Sequence, residues 1–254
     1  MNNERLTSII IPTYNGLHLL SRLVESIREH TDAPYEIIVV DNGSDDGTKE
    51  YCVREQLILI SLPRNMGFPI ACNKGLAASA GDQLLLLNND CLVTPRWLSQ
   101  LSTALNSADD IGIVGPVTNY ASGMQRLDTG LDGPAELLEY ARTFNRSNAS
   151  KWVEVRRLIG YCFLFKRSLY DRIGPLDEAF SPGHYEDDDY CFRAVREGYR
   201  LLICGDTFIY HKGSASFKEK YPEGLDGLIE KNRKLFIDKW GIDPRRFMRE
   251  EENP

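Results

Sequence analysis

The first half of the chain alternates short, almost wholly apolar runs with longer stretches in which apolar residues recur every three or four positions. The runs "SIIIP" at 8–12, "YEIIVV" at 35–40, "LILISL" at 57–62, "QLLLLN" at 83–88 and "IGIVGP" at 111–116 read as strands. Several are too uniformly apolar to face water on either side, the mark of strands inside a parallel sheet. Between them, "LHLLSRLVESIREH" at 17–30, "PIACNKGLAASA" at 69–80 and "PRWLSQLSTALN" at 95–106 read as helices, with Pro95 suited to a first turn. This rhythm predicts an α/β protein with an open, doubly wound, mostly parallel central sheet flanked by helices, of Rossmann-like type. In such sheets ligands bind at the carboxyl ends of the strands.

From 118 to 150 the pattern dissolves into a stretch rich in Gly, Ser, Asn and Asp, with one helix around Pro134 to Thr143. It reads as a surface excursion, either a lid or an ordinary long loop. Strand-like segments return at "VEVRRLIGYCFLF" (153–165) and "RLLICGDTFIYH" (200–211), bracketing a helix in "DDDYCFRAVREG" that Gly198 ends. A last helix in "GLDGLIEKNRKLFIDKWG" leads to a charged tail. Without repeats or low-complexity segments, residues 1–217 read as one domain and 218–254 as a helix and tail packed on it.

Composition narrows the function. With 254 residues and 42% hydrophobic content the chain can bury one large core. A net charge of -7, with no concentration of Lys and Arg, argues against a nucleic-acid partner. Six cysteines, at 52, 72, 91, 162, 191 and 204, form no C-x-x-C pair, so they read as reduced, buried thiols rather than a zinc or redox site. No apolar run approaches the roughly 18 residues of a membrane span. The opening "MNNERLTSIIIP" lacks the apolar stretch of a signal peptide. A soluble, cytoplasmic protein is expected, of an oligomeric state the sequence leaves open. Near the end, Lys231, Arg233, Lys234, Lys239, Arg245, Arg246 and Arg249 are interspersed with Phe236, Trp240 and Phe247. Such a run either rests peripherally on an anionic membrane surface or is a solvated helix face whose apolar side packs on the body.

Carboxylates gather where strands end. The second strand exits into "VVDNGSDDGT", with Asp41, Asn42, Asp45 and Asp46; the fourth exits into Asn88, Asn89 and Asp90; and "GHYEDDDY" sets Glu186, Asp187, Asp188 and Asp189 in a row. Clustered carboxylates repel unless a cation compensates them, and a hard divalent ion, Mg²⁺ or Mn²⁺, would in turn hold phosphates. The segment "DNGSDDGT" is either a turn that closes over a base and ribose or a βα loop whose Asp or Ser caps the next helix. His211, after "FIY", is either a ligand suited to Mn²⁺ or a hydrogen-bonded strand-end residue. Asp188 and Asp189 read equally as an acidic helix N-terminus favourable to the dipole. His18 and His30 suggest only solvent or capping roles. A G-x-G-x-x-G after the first strand is absent, against an NAD-dependent oxidoreductase, and so is a Gly- and Lys-rich phosphate loop, against a nucleotidyltransferase.

In this order, "SIIIPTYNG", "EIIVVDNGSDDGT", "RNMGFPIACNKGLAASAGDQLLLLNND", "GYCFLFKRSLYDRIGPLDEAF" and "YEDDDYCFRAVREGYRLLICGDTFIYHKGSAS" resemble the inverting nucleotide-sugar glycosyltransferases of family 2, with the GT-A fold, and within them the bacterial rhamnosyltransferase-like group. The likeness covers roughly residues 6 to 217. It implies that Pro12, Thr13, Tyr14 and Asn15 line a nucleotide pocket and that Asp41, with Asn42, binds the base or ribose. Arg64, Asn65, Gly67 and Asn73 would enclose the rest of the nucleoside and sugar. "LNND" matches the metal-binding D-x-D signature, with Asn88 and Asn89 at the donor and Asp90 as ligand to Mn²⁺ or Mg²⁺; His211 matches a late metal-ligand histidine. Asp187 falls at the catalytic-base position, with Glu186 beside it as helper or acceptor contact. Asn88 departs from the signature, offering a carbonyl but no charge, which implies weaker metal affinity. The implied reaction moves a sugar from a UDP- or dTDP-linked donor to a hydroxyl on a glycan, lipid-linked or protein acceptor, in bacterial cell-surface polysaccharide or glycoconjugate synthesis. Two alternatives stay open: a non-catalytic module that holds a nucleotide sugar or glycan, which Asn88 favours, and a nucleotidyltransferase.

Overall fold

A computed structural model of the chain describes residues 5–131, 133–213 and 224–246. The first half winds as β1 (Thr7–Thr13), α1 (Leu17–His30), β2 (Tyr35–Asp41), α2 (Thr48–Arg54), β3 (Ile58–Ser61), α3 (Phe68–Ala78) and β4 (Gln83–Leu87). These strands pair in parallel in the order β3-β2-β1-β4. Their continuous apolar runs follow from the strand period of two. Ile9 and Ile11 pack with α1 and α2 on one face, while Ile10 packs with α3 on the other. Both faces being covered, no polar alternation survives.

Helix α1 forms because Leu20, Leu23, Val24 and Ile27 fall on one stripe and are all fully buried. Each such burial contributes about 1.5–3 kcal/mol. Its start has no side-chain cap of its own. Asp46 supplies one from the β2–α2 loop: one carboxylate oxygen accepts from the Leu17 N–H at 2.8 Å, the other from the Thr48 N–H at 3.2 Å and hydroxyl at 2.6 Å. One exposed carboxylate thus ties the starts of two helices.

The second half comprises β5 (Cys91–Leu92), α4 (Trp97–Leu105), β6 (Ile111–Thr118), α5 (Pro134–Phe144), β7 (Trp152–Val155), β8 (Cys162–Lys166), α6 (Arg167–Ile173), α7 (Glu186–Arg196), β9 (Arg200–His211) and α8 (Leu225–Trp240). The sheet continues past β4 through β8, β6 and β9 to β5, with β7 also on β9. Here β6 and β9 are parallel, whereas β8 runs against both its neighbours and β5 and β7 run against β9. The doubly wound half is therefore followed by a mixed one. Strand β1 stands between β2 and β4, so their acidic exits share the carboxyl edge without adjoining.

Pro95 lies before α4 rather than in its first turn, because Arg96 turns the chain with φ +64 before Trp97 begins the helix. The Arg96 guanidinium donates to the carbonyls of Asn145 and Arg142, which fixes that turn. Gly198, with φ +85, ends α7 as expected. The 118–150 excursion is tied down at both ends. Gln125 donates to the Pro116 carbonyl at 3.0 Å and accepts from the Ile159 N–H at 2.7 Å. Fully buried Asn145 bonds both backbone groups of Phe208 and the Thr94 hydroxyl.

Helix α8 docks on α7. Asp189, with no exposure, accepts from Arg193 at 2.9 Å, from Lys239 at 2.7 Å and from the Trp240 indole at 2.8 Å. Phe236 is fully buried, and Arg233 pairs with Glu230 and Asp243. These groups of the basic, aromatic run face the body of the molecule; Phe247 and Arg249 lie outside the described residues. All six cysteines are buried and unpaired. No helix among the described residues is long and apolar enough to cross a membrane.

Candidate active site

The carboxyl edge of the sheet opens into a cleft of about 650 Å³, lined by the exits of β1, β2 and β4, the end of β9, the 120–126, 157–161 and 182–188 segments and the start of α8. At one wall, antiparallel pairing of β5 with β9 sets Cys91 opposite His211 and so brings Asp90 beside the imidazole. Asp90 Oδ1 and His211 Nε2 are 3.2 Å apart, both side chains 8% exposed. Despite that proximity, Nε2 lacks hydrogen-bond alignment with any described group. On the other side of the ring, Nδ1 lies 2.8 Å from the Tyr120 carbonyl, and Tyr161 stacks on the ring with centroids 5.0 Å apart. A carbonyl accepts only, so Nδ1 donates to it, which leaves Nε2 as the ring atom that faces Asp90. An imidazole nitrogen and a carboxylate oxygen side by side in a buried wall are a ligand pair that suits a divalent cation. Cys91 completes a cluster whose ligand atoms lie within 4.8 Å. Burial, then the Asp90 charge, pushes its thiol well up, and it donates to the Tyr161 carbonyl at 3.6 Å. Asn88 Oδ1, in the same wall, is likewise buried without a partner.

Of the expected nucleotide-side residues, Pro12, Thr13, Tyr14, Asn42, Asn65, Asn88 and Asn89 line the cleft. Asn89 donates to the Thr13 hydroxyl at 2.9 Å, locking the exits of β4 and β1 together. Asn42 donates to Asn65 Oδ1 and the Gly67 carbonyl and accepts from the Met66 N–H, so it shapes the 65–67 segment. Five expected residues stand behind the wall or beside it. Asp41 is wholly buried, with Ser44 N–H at 2.9 Å, the Ser61 hydroxyl at 3.3 Å and Lys49 Nζ at 3.8 Å. Asn15, at φ +46, links to the β2–α2 loop through Ser44 and Asp45. Arg64 is exposed. Gly67, at φ +100, lies so close to the 180–185 loop that a Cβ would stand 2.9 Å from Pro182 Cα. Asn73 bonds both backbone groups of Leu176, at 2.9 Å each, and the Glu178 carboxylate. These residues hold the walls in position.

The four acids of α7 go to four destinations. Asp188 and Asp189, readable as mere helix-end charges, are buried ion-pair partners: Asp188 binds Arg157 at 2.5 Å and Asp189 anchors α8. Against its burial, Asp188 and Asp187 hold the Arg157 guanidinium above its ordinary pKa. Asp187 accepts from the Gly160 N–H at 2.9 Å and the Asp188 N–H at 2.9 Å and lines the cleft. A Cβ on Gly160 would approach Asp187 Cβ to 3.3 Å, so a side chain there would crowd the carboxylate. Glu186 is 7% exposed, and burial, then the Asp187 charge, drives its pKa well up. The loop before α7 is gathered by fully buried Asn232 of α8, whose amide donates to the carbonyls of Phe180 and Gly183 at 2.8 Å and of His184 at 3.1 Å. Arg157, Tyr161 and Asn232 escaped the sequence reading. For the first two the available signal was "RRLIGY", where paired arginines and a glycine interrupt what otherwise reads as one strand.

A parallel half-sheet with this cleft at its carboxyl edge and a mixed second half defines the GT-A fold. The mannosyltransferase PcManGT from Pyrobaculum calidifontis, solved with GDP-Man and Mn2+, shares it at a TM-score of 0.67 and 20% identity, over 97% of this chain and 68% of that one. Glycosyl transferase family 2 matches residues 8–174, more than half of the chain, and the chain belongs to that family. It is 27% identical to the glycosyltransferase YwdF of Bacillus subtilis, over 89% of this chain and 83% of that protein. It is 31% identical to the protein y4gI of Sinorhizobium fredii over 85% of this chain, which spans only 25% of that relative's length.

Proposed function

We propose that the protein is an inverting glycosyltransferase that moves a sugar from a nucleotide-diphosphate sugar, UDP- or dTDP-linked, to an acceptor hydroxyl. The observation that carries this reading is that Asp90, His211 and Asp187, from three separate stretches of the chain, line one cleft with Pro12, Thr13 and Tyr14 and the Asn42–Asn65 wall. Asp90 and His211 would hold Mn²⁺ or Mg²⁺, with Asn88 offering a neutral oxygen. Such an ion neutralises charge growing on a departing diphosphate. Asn65 presents its amide N–H groups to the nucleotide, while Asn42 shapes the 65–67 segment and Asp41 stiffens that wall from behind. Asp187 Oδ atoms, oriented by the Gly160 and Asp188 N–H groups, accept the proton of the acceptor hydroxyl as it attacks from the face opposite the nucleotide. A single displacement of this kind needs no covalent nucleophile, and its transition state resembles an oxocarbenium ion. Glu186 assists on the acceptor side.

The role in bacterial cell-surface polysaccharide or glycoconjugate synthesis is part of the same proposal, supported by the resemblance of the five sequence segments. A second reading, a non-catalytic nucleotide-sugar or glycan binder, is favoured only by the uncharged Asn88. Nucleotide release from a panel of UDP- and dTDP-sugars, with and without Mn²⁺, separates the two. Metal-stimulated release supports the transferase, and tight binding with no release from any donor contradicts it.

A further inference from the structure

Among the described residues, Glu186 has no cation beside it and no side-chain donor to its Oε2. It opens α7, is 7% exposed and lines the cleft, yet its Oε2 has no hydrogen-bond partner among the described residues. The charged neighbours on its own helix, Asp187 and Asp188, are both acidic, and Cys72 of α3 faces it from across the core. The guanidinium on that wall, Arg157, is held by Asp188 at 2.5 Å. The backbone N–H groups of Glu186 and His184 approach the carboxyl as donors. A carboxylate so buried, with two anionic neighbours and no cation, would carry a desolvation cost that a bound proton removes.

We propose that Glu186 works as a neutral carboxylic acid, donating a hydrogen bond from Oε2 to a hydroxyl oxygen of a sugar bound in the cleft. The inference rests on the transferase reading and adds a division of labour within it. Of two adjacent acids on one helix, Asp187 takes a proton and Glu186 offers one without transferring it. Burial separates them: Asp187 has two N–H donors to its carboxylate, whereas Oε2 of Glu186 has only the cleft before it. A protonated acid and an amide donate alike, so Gln should serve where Glu does.

The test compares wild type with Glu186→Gln, Glu186→Ala and Asp187→Asn, using UDP-glucose and dTDP-rhamnose with Mn²⁺ and following nucleotide release. Glu186→Gln is expected to keep kcat/KM within about threefold, and Glu186→Ala to lose about ten- to a hundredfold, the range for a buried hydrogen bond left unmade. A raised donor KM in the alanine variant places the touched sugar on the donor, and a lowered kcat at unchanged donor KM places it on the acceptor side. Independently of turnover, the infrared difference between wild type and Glu186→Gln at neutral pH should show the carbonyl stretch of a protonated carboxylic acid. Absence of that band, or a glutamine variant as damaged as the alanine one, overturns the inference. An undiminished Asp187→Asn enzyme would instead overturn the transferase reading itself, leaving the infrared result to decide the state of Glu186.

Discussion

At the scale of single residues the account predicts distinct failures for the two sides of the cleft. Asp187→Asn removes the proton acceptor while changing little volume, so donor binding should persist while turnover falls by about 10²–10⁴-fold, the usual worth of a positioned base. Calorimetric donor affinity alongside kcat checks it. Asp90→Ala should weaken metal-assisted donor binding and transfer together. Asp90 was legible as a charge at the end of an apolar run, whereas Asp187 and His211 were singled out by the family resemblance. Asp41 was legible as an acid at a strand exit but not as a buried one. Its burial depends on Ser61, twenty positions on, and on the β1–β2 register that sets it opposite Thr13. Arg157 was illegible for the opposite reason: one of two adjacent arginines, it gains meaning only when α7 brings Asp188 to it.

At the scale of elements the caps and braces can be tested. Asp46 is pushed up by burial, but bonds from Thr48 and Leu17 outweigh this and leave its pKa below the ordinary carboxylate value. A depressed folded pKa means that its stabilisation is fully present above the unfolded value of about 3.9 and is lost as pH falls through the lower, folded value. Asp46→Ala should cost about 0.5–2 kcal/mol, toward the low end because the residue is exposed. Melting temperatures of wild type and variant should therefore converge as pH drops below 4, and a pH-independent gap would contradict the assignment. Asn232→Ala should cost about 1–3 kcal/mol, since three loop carbonyls lose their donor. It should also lower kcat more than donor affinity, because the loop it gathers leads to Asp187. Helices such as α1 were readable from their own periodicity. Seven-residue α2 and two-residue β5 were not, being too short to display a period and held by neighbours distant in sequence.

At the scale of the molecule, the parallel half announced itself through runs apolar on both faces, whereas the antiparallel insertion of β8 between β4 and β6 left no local mark. Strand pairing is a long-range choice, and "GYCFLF" would read the same in either direction. The C-terminal helix packs on α7 through buried Asp189. A chain ending at residue 217 would lose the Lys239 and Trp240 partners of buried Asp189, at about 3–5 kcal/mol, and the fully buried Phe236, at a similar cost. Against a total stability of about 5–15 kcal/mol, such a chain should lose cooperative thermal unfolding, as circular dichroism would show. The central claim concerns the cleft as a whole and is tested most directly by titrating UDP and dTDP into the full chain with and without Mn²⁺, in wild type and in the Asp90→Ala, His211→Ala and Asp187→Asn variants. Binding that Mn²⁺ strengthens in wild type and in Asp187→Asn, and leaves unchanged in the other two, is the predicted result; nucleotide binding indifferent to Mn²⁺ in the wild-type protein would contradict it.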